Sequence, residues 1–201
     1  MYVQKILILF IFLVSTVFSN VQEISAAGNS AGSQKPLRFY ENRGGDFELT
    51  GPDGKELSSE SFRGKVILIY FGYTYCPDVC PMSLSHLKVG MLNLKEQAKD
   101  VQVLFISIDP ERDTPEKLKE YVPYFYPTFI GLTGSVNDIA EVARQYGARY
   151  FKEYVESVEG YFMAHTDAVF LVDQQGRYRG RYKTKWDMDK LVADIQWILS
   201  N

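Results

Sequence analysis

The sequence has few of the residues that usually bind metals or cross-link small exported domains. Its 201 residues include only two cysteines and two histidines. Lysine and arginine number 22 against 25 acidic residues, which gives a formal net charge of −3. No basic stripe points to nucleic acid, so we expect no nucleic-acid partner. We find no internal repeat and no low-complexity tract, and the length suits one domain plus a short targeting segment.

Long hydrophobic runs are also absent, except for one near the N-terminus. A lysine precedes residues 6–18, which form an uncharged apolar run of 13 residues. A positive start, an apolar run of this length and the small residues at 25–27 are typical of a signal peptide. A bilayer span needs about 20 residues, and the flanking residues make an uncleaved anchor the alternative. No cysteine directly follows the run, which excludes a lipoprotein. We therefore predict a signal peptide or membrane anchor (1–27), a linker (28–42) and an exported domain (43–201).

The two cysteines, Cys76 and Cys80, both belong to the exported part. In an oxidising compartment a cysteine pair usually forms a structural disulfide. This pair encloses only three residues, so a disulfide here removes little entropy from the unfolded chain. Redox chemistry or metal binding explains such a close pair better.

The order of predicted elements indicates the fold. Residues 66–71 and 101–108 are continuous apolar runs, as expected of strands covered on both faces. Turn residues at 51–54 and 173–176 indicate two β-hairpins. The elements read as a hairpin, a βαβαβα unit, a second hairpin and a last helix. We therefore predict an α/β class, thioredoxin-like fold with an N-terminal β-hairpin addition. The other predicted elements are a helical turn at 59–62, strands at 128–132, 150–156, 168–172 and 178–182, and helices at 82–98, from 115, at 135–146 and at 187–199.

The cysteine motif is CPDVCP, with three residues between the cysteines where a redox thioredoxin has two. Side chains at i and i+4 share one face of a helix, so the two sulfurs can converge on one ion. Pro81 suits the first turn of the following helix. The positive end of that helix lowers the thiol pKa and favours thiolate, the form that binds metals and attacks disulfides.

The count of available ligands indicates which metal the motif suits. Two thiolates prefer Cu(I) or Zn(II), but structural zinc needs four protein ligands. His86 lies about 240° around its helix from Cys80, so we predict a surface or satisfied core histidine. His165 precedes the last core strand, where the fold predicts contact with the cysteine turn. Cys76, Cys80 and His165 form a three-ligand set that suits Cu(I) and leaves zinc one ligand short.

Other residues near the motif have weaker signals. Met163 shares a face with His165 on an extended chain and is a possible soft ligand, but core packing is the favoured interpretation. Asp78 has three interpretations: it tunes the thiols, contacts Cu(II) or caps the turn. Tyr73 and Tyr75 are predicted to form an apolar shell that keeps water from the ion.

These segments together resemble the SCO/SenC family of copper chaperones for cytochrome c oxidase, over roughly residues 44–199. The resemblance is carried by GKVILIYFGYTYCPDVCP at 64–81, SIDPERDTPEKL at 107–118, FIGLTGS at 129–135 and the segment from His165 to Asp173. Many relatives have histidine where Tyr75 stands, but that position is not a family ligand. For Asp109 and Arg112, in the shared DPERDTP turn, we favour a structural or docking role.

The resemblance implies a thioredoxin-like fold and a location in the periplasm or at the outer face of the inner membrane, with membrane association. It implies copper held by Cys76, Cys80 and His165, as Cu(I) or also as Cu(II). The implied function is delivery to the binuclear copper site of oxidase subunit II or to another copper protein, with other copper chaperones as further partners.

The same cysteines leave a redox function open, so whether the chain is an enzyme is undecided. A thiol-disulfide reductase acting on the oxidase subunit or another exported partner needs only Cys76 and Cys80, and His165 would be dispensable. A disulfide between them cannot hold copper, so oxidation would switch metal binding off. A peroxidase of the peroxiredoxin type is disfavoured because the expected proline is absent before Cys76.

Overall fold

The computed structural model describes residues 37–154, 160–185 and 187–201. The predicted signal peptide or anchor, linker residues 28–36 and the end of the strand predicted at 150–156 lie outside these residues. Within the described part of the chain, no helix has the length and apolar character needed to cross a membrane.

Strands and helices alternate through most of the described chain. The strands are β1 Glu48–Thr50, β2 Glu56–Ser58, β3 Val66–Gly72, β4 Val101–Ser107, β5 Ile130–Leu132, β6 Tyr150–Glu153, β7 Phe162–His165, β8 Val169–Val172 and β9 Tyr178–Tyr182. The α-helices are α1 Val79–Leu94, α2 Pro115–Phe125, α3 Val136–Tyr146 and α4 Met188–Ser200. Short 3-10 helices cover Ser59–Phe62 and Lys95–Asp100.

The central sheet has the strand order β5-β4-β3-β8-β9. Strands β3, β4 and β5 run parallel, whereas β8 and β9 are antiparallel to their neighbours. Every residue of β3 and β4 is buried, as expected of strands covered on both faces. Parallel βαβ units followed by an antiparallel hairpin and a helix confirm the predicted thioredoxin-like α/β fold.

The N-terminal hairpin is also confirmed. Strands β1 and β2 pair antiparallel as a separate two-stranded sheet. Reciprocal backbone bonds of 2.7 and 2.9 Å between Thr50 and Thr133 join it to the segment after β5. Gly54 adopts φ +75° in the connecting turn, a conformation that glycine reaches without steric cost.

Two sequence-based boundaries and one missed strand need correction. Helix α1 begins at Val79 rather than Met82, because the chain turns into the helix directly at the cysteine motif. It ends at Leu94 rather than Ala98, since Lys95 adopts φ 52°, and a 3-10 helix follows. Strand β7 was not predicted; it pairs with β6 in a second separate hairpin. Its four residues are too few for a periodic signal to emerge.

Candidate metal centre

The cysteines lie where the first core strand gives way to the first long helix. Cys76 is half-buried in the loop after β3, and Cys80 is fully buried in the first turn of α1. The Cys80 N–H donates to Cys76 Sγ at 3.3 Å. Pro81 is the third residue of α1, where its missing N–H leaves no intrahelical bond unmade. The turn into the helix therefore brings the two sulfurs to one side, and both thiols are free.

Gly72, the last residue of β3, lies under this turn. A Cβ built at that position would lie 3.1 Å from Cys80 Sγ and 2.7 Å from the ring of Phe105. The second distance is too short for real atoms. The strand therefore ends in glycine because the Phe105 ring and the Cys80 sulfur pack directly onto its backbone.

His165, the last residue of β7, completes the group. Its Nε2 lies 3.3 Å from Cys80 Sγ. The Sγ atoms of Cys76 and Cys80 and a ring nitrogen of His165 all lie within 4.8 Å of one another. The structure thus brings together the three residues that the sequence nominated, although 85 positions separate Cys80 from His165.

The other nitrogen of His165 sets the orientation of the ring. Nδ1 lies 3.3 Å from the carbonyl oxygen of Thr166. A carbonyl oxygen can only accept a hydrogen bond, so this contact places the ring proton on Nδ1. The lone pair on Nε2 then faces the cysteines, as in histidines that bind metals while their second nitrogen is held by a carbonyl.

The pKa values of the two thiols are shifted in opposite directions. A hydrogen bond from the Cys80 thiol lowers the pKa of Cys76 well below its ordinary value, and the backbone N–H groups of Cys80 and Asp78 lower it further. The same pairing with Cys76, together with burial, raises the pKa of Cys80. At neutral pH the pair therefore carries one thiolate, on the half-exposed Cys76, which is poised to bind a soft ion or attack a disulfide.

Aromatic rings line the buried side of the site. Tyr73 is 2% exposed, and its ring meets His165 edge-on at 6.1 Å. Tyr70 approaches the same imidazole edge-on at 6.0 Å. The shell predicted for Tyr73 is therefore present, but Tyr75 does not join it. Tyr75 is 54% exposed, and its ring stacks against Lys117 at 3.5 Å.

A buried carboxylate fixes the cysteine loop. Asp113, which is fully buried, accepts hydrogen bonds from Thr74 N at 2.9 Å and Thr74 Oγ1 at 2.5 Å. It also accepts a bond from Ser107 Oγ at 2.8 Å. Thr74 lies two residues before Cys76. The turn after β4 therefore holds the loop from which the first cysteine projects.

The same turn holds the histidine hairpin. Buried Asp109 accepts a hydrogen bond from the Tyr161 hydroxyl at 2.7 Å and pairs with Arg112. Arg112 donates to the carbonyl oxygen of Tyr161 at 3.0 Å and stacks over its ring at 3.8 Å. Lys152 on β6 pairs with Glu111 at 2.7 Å. Of the two roles favoured for Asp109 and Arg112, these contacts support the structural one.

Three other residues that the sequence singled out, Met163, Asp78 and His86, lie outside the group of three ligands. Met163 is 6% exposed within the hydrophobic core, so core packing is confirmed. Asp78 precedes α1, but its side chain makes no capping bond. His86 is half-buried on α1, outside the three-residue group, as predicted. Its Nδ1 is buried and has no hydrogen-bond partner among the described residues, which differs from the satisfied core histidine that was one of the two predicted alternatives.

Comparison with known proteins gives consistent matches. A family model described as SCO1/SenC matches residues 35–200. A SCO2-like protein of Rickettsia conorii is 39% identical over 153 residues, covering 72% of this chain and 75% of the relative. ScoI of Bradyrhizobium japonicum, solved with copper bound, is 38% identical with a TM-score of 0.70, covering 78% of this chain and 99% of that chain.

A more distant solved relative is BsSco, described as a member of the Sco family of cytochrome c oxidase assembly proteins with a disulfide switch. It is 26% identical, with a TM-score of 0.64, and the match covers 83% of this chain and 96% of that chain.

Proposed function

Because this chain belongs to the SCO1/SenC family, we propose that it is an exported metallochaperone that binds copper through Cys76, Cys80 and His165. The observation that carries the proposal is the convergence of two sulfurs and one imidazole nitrogen within 4.8 Å. Thiolate and imidazole are ligands that copper prefers. The copper-bound state of the Bradyrhizobium japonicum relative supports the choice of metal.

The three ligands have different accessibility, which suits a protein that must release its cargo. Cys80 is fully buried and His165 is held by Thr166, so these two retain the ion. Cys76 is half-buried, and an incoming thiolate from a partner reaches the ion from its side. Three protein ligands satisfy Cu(I), with Cu(II) as a second state. They leave structural zinc one ligand short.

The recipient we propose is the binuclear copper site of cytochrome c oxidase subunit II, with other copper chaperones as donors. The description of BsSco as a member of a family of oxidase assembly proteins supports this role. We further propose that residues 1–27 direct export as a signal peptide or anchor, that 28–42 form a linker, and that 43–201 form the domain working in the periplasm or at the outer face of the inner membrane.

The direct test is a Cu(I) competition titration with a chromogenic chelator. We expect His165→Ala to weaken Cu(I) binding at least about a hundredfold, because one of three ligands is lost. His86→Ala is the matched control, since it removes the chain's other histidine and should leave the affinity unchanged. Equal affinity of His165→Ala and the unaltered chain would exclude the proposed site.

A thiol-disulfide reductase is the second candidate, favoured by the free thiols and the lowered pKa of Cys76. The Cys76 thiolate would attack a partner disulfide and release one partner thiolate. Cys80, after losing its proton, would then attack the mixed disulfide and release the second partner sulfur. The partner gains two electrons, and the chain ends with a Cys76–Cys80 disulfide.

One variant separates the two functions. His165→Ala should abolish tight copper binding and leave disulfide reduction largely intact, because reduction needs only the cysteines. A cell that lacks the protein should regain oxidase activity with added copper if delivery is the main role. Recovery with an added thiol reductant, but not with copper, would favour the reductase.

A further inference from the structure

A groove runs along the molecule beside the metal centre. It consists of two cavities of about 820 and 650 Å³, which share Thr166, Arg181, Tyr182 and Asp187 as lining residues. One end lies at the start of the described chain, near Arg38. The other end reaches the first turns of α1. Because the two cavities share four lining residues, they lie side by side and together form the groove.

The groove is strongly basic, although the whole chain has a formal net charge of −3. Among the described residues that line it, eight are arginine or lysine and two are aspartate. The basic residues come from sequence positions between 38 and 190, so no basic stripe exists in the sequence. The fold assembles a positive surface on a chain that is otherwise negative, and such a surface attracts acidic partners.

Several of these cations have no carboxylate partner in the part of the chain that the structure describes. Arg38, Arg43, Arg149 and Arg181 are exposed. None of the four forms an ion pair within residues 37–154, 160–185 and 187–201. A guanidinium offers a planar pair of N–H donors that matches a carboxylate. Four unpaired guanidinium groups along one groove therefore suit a segment with several carboxylates.

The groove is connected to the metal centre at two points. Thr166 directly follows His165, and its backbone N–H donates to the carbonyl oxygen of Arg149 at 2.9 Å. At the other end the groove is lined by Val79 and Met82, which are 37% and 40% exposed and flank Cys80 in α1. A segment bound in the groove would thus bring its protein next to the cysteines.

We propose that this groove docks an acidic segment of the protein that exchanges copper with the chain. The identity of the partner rests on the proposed function, whereas the acidic chemistry of the segment follows from the groove. The groove is concave, and this shape favours a peptide segment that inserts into it. A bilayer would instead be contacted by a flat basic face. The exposed Val79 and Met82, at the end of the groove nearest the cysteines, supply apolar contacts beside the charged ones.

The test uses the full chain and a fluorescently labelled hexaglutamate peptide, with binding followed by anisotropy at low salt. We expect Arg149→Glu/Arg181→Glu to weaken binding about tenfold or more, because two attractive contacts become repulsive. The matched control is Lys88→Glu/Lys119→Glu, which makes the same change in net charge at two exposed positions outside the groove. The control should bind like the unaltered chain, and binding should weaken as salt rises.

Two results would overturn the proposal. One is equal binding by the groove variant and the control. The other is binding to vesicles of phosphatidylglycerol and phosphatidylcholine without binding to the peptide, which would assign the groove to a membrane surface. Cu(I) titration of the same proteins keeps the two proposals separate. If the unaltered chain fails to bind Cu(I), the chaperone function is refuted. The peptide result would still decide which chemistry the groove recognises.

Discussion

The loop that carries the cysteines and the hairpin that carries His165 differ in how the fold holds them. The cysteine loop joins β3, buried along its whole length, to α1, whose buried face includes Cys80 itself. The hairpin of β6 and β7 forms a two-stranded sheet outside the central sheet, and three of the four residues of β6 are exposed. Two candidate ligands thus belong to the core and the third to its periphery.

The turn after β4 contains no candidate ligand, yet it holds both segments and so sets the geometry of all three ligands. Asp113 holds the cysteine loop through Thr74, while Asp109 and Arg112 hold the hairpin through Tyr161. Local stability varies within one fold and is lowest where few buried contacts hold an element. We therefore expect changes on the cysteine side to affect the whole domain, and changes on the histidine side to affect the hairpin alone.

The largest effect is expected for Asp113→Ala. The substitution leaves three donors on Thr74 and Ser107 without their buried acceptor, which should lower the free energy of unfolding by about 3 kcal/mol. Urea denaturation measures the change. Asp53→Ala, in an exposed turn, is the control and should differ little from the unaltered chain. A loss confined to the cysteine loop, with unchanged global stability, would contradict the assignment of this loop to the core.

Arg112→Ala should act on the hairpin. It removes the bond to the Tyr161 carbonyl and leaves buried Asp109 without its cation, which should cost about 2 kcal/mol. Amides of residues 162–165 should then exchange roughly 30-fold faster in hydrogen-exchange mass spectrometry. Arg144→Ala, which breaks an exposed ion pair on α3, should leave these amides unaffected. Uniformly faster exchange across the central sheet would show that the hairpin does not open separately.

At the cysteine pair, Cys80→Ala should raise the pKa of Cys76. The thiol donor that stabilises the Cys76 thiolate is lost, so the thiolate disappears at a higher pH than in the unaltered chain. The midpoint of the pH profile for iodoacetamide alkylation of Cys76 should move up by about one unit or more. An unchanged midpoint would mean that backbone N–H groups alone determine this acidity.

Tyr161→Phe should give the smallest effect. It removes one hydrogen bond to Asp109 and keeps the ring that stacks on Arg112, at an expected cost of about 1 kcal/mol. Exchange of the β7 amides should rise by roughly fivefold, with global stability unchanged. An effect as large as that of Arg112→Ala would show that the hydroxyl, rather than the cation, is the main hold on the hairpin.

Strands β3, β4 and β8 of the central sheet were predictable because they are nearly continuous apolar runs with clear ends. The helices predicted from 115 and at 135–146 also agree with the structure to within one residue, because Thr114 and Ser135 cap their starts and Gly147 ends the second. The hairpin that carries His165 was not predicted, since β7 is short and its partner strand is mostly exposed. Its position depends on side-chain contacts with a distant turn, which leave no periodic signal in the sequence.

For the site, the spacing of the cysteines, the small number of histidines and the place of His165 in the predicted fold were enough to nominate the three residues. The sequence did not indicate that Asp113 and Tyr161 hold their loops, because a single buried carboxylate or tyrosine resembles any other until its partners are known. The prediction that Tyr75 lines the metal site was wrong for a related reason. Its neighbour Tyr73 faces inward, and the loop turns Tyr75 outward toward Lys117.

The separation of 85 positions between Cys80 and His165 has a consequence for the life cycle of the protein. In the proposed centre, an ion held by both residues acts as a removable cross-link across nearly half the chain. A permanent link over such a loop would stabilise a domain by on the order of 4 kcal/mol in the chain-entropy model. The loaded protein should therefore resist proteases better than the empty one. Each delivery would return the protein to its more easily degraded form, so turnover in the cell would fall mainly on molecules without cargo.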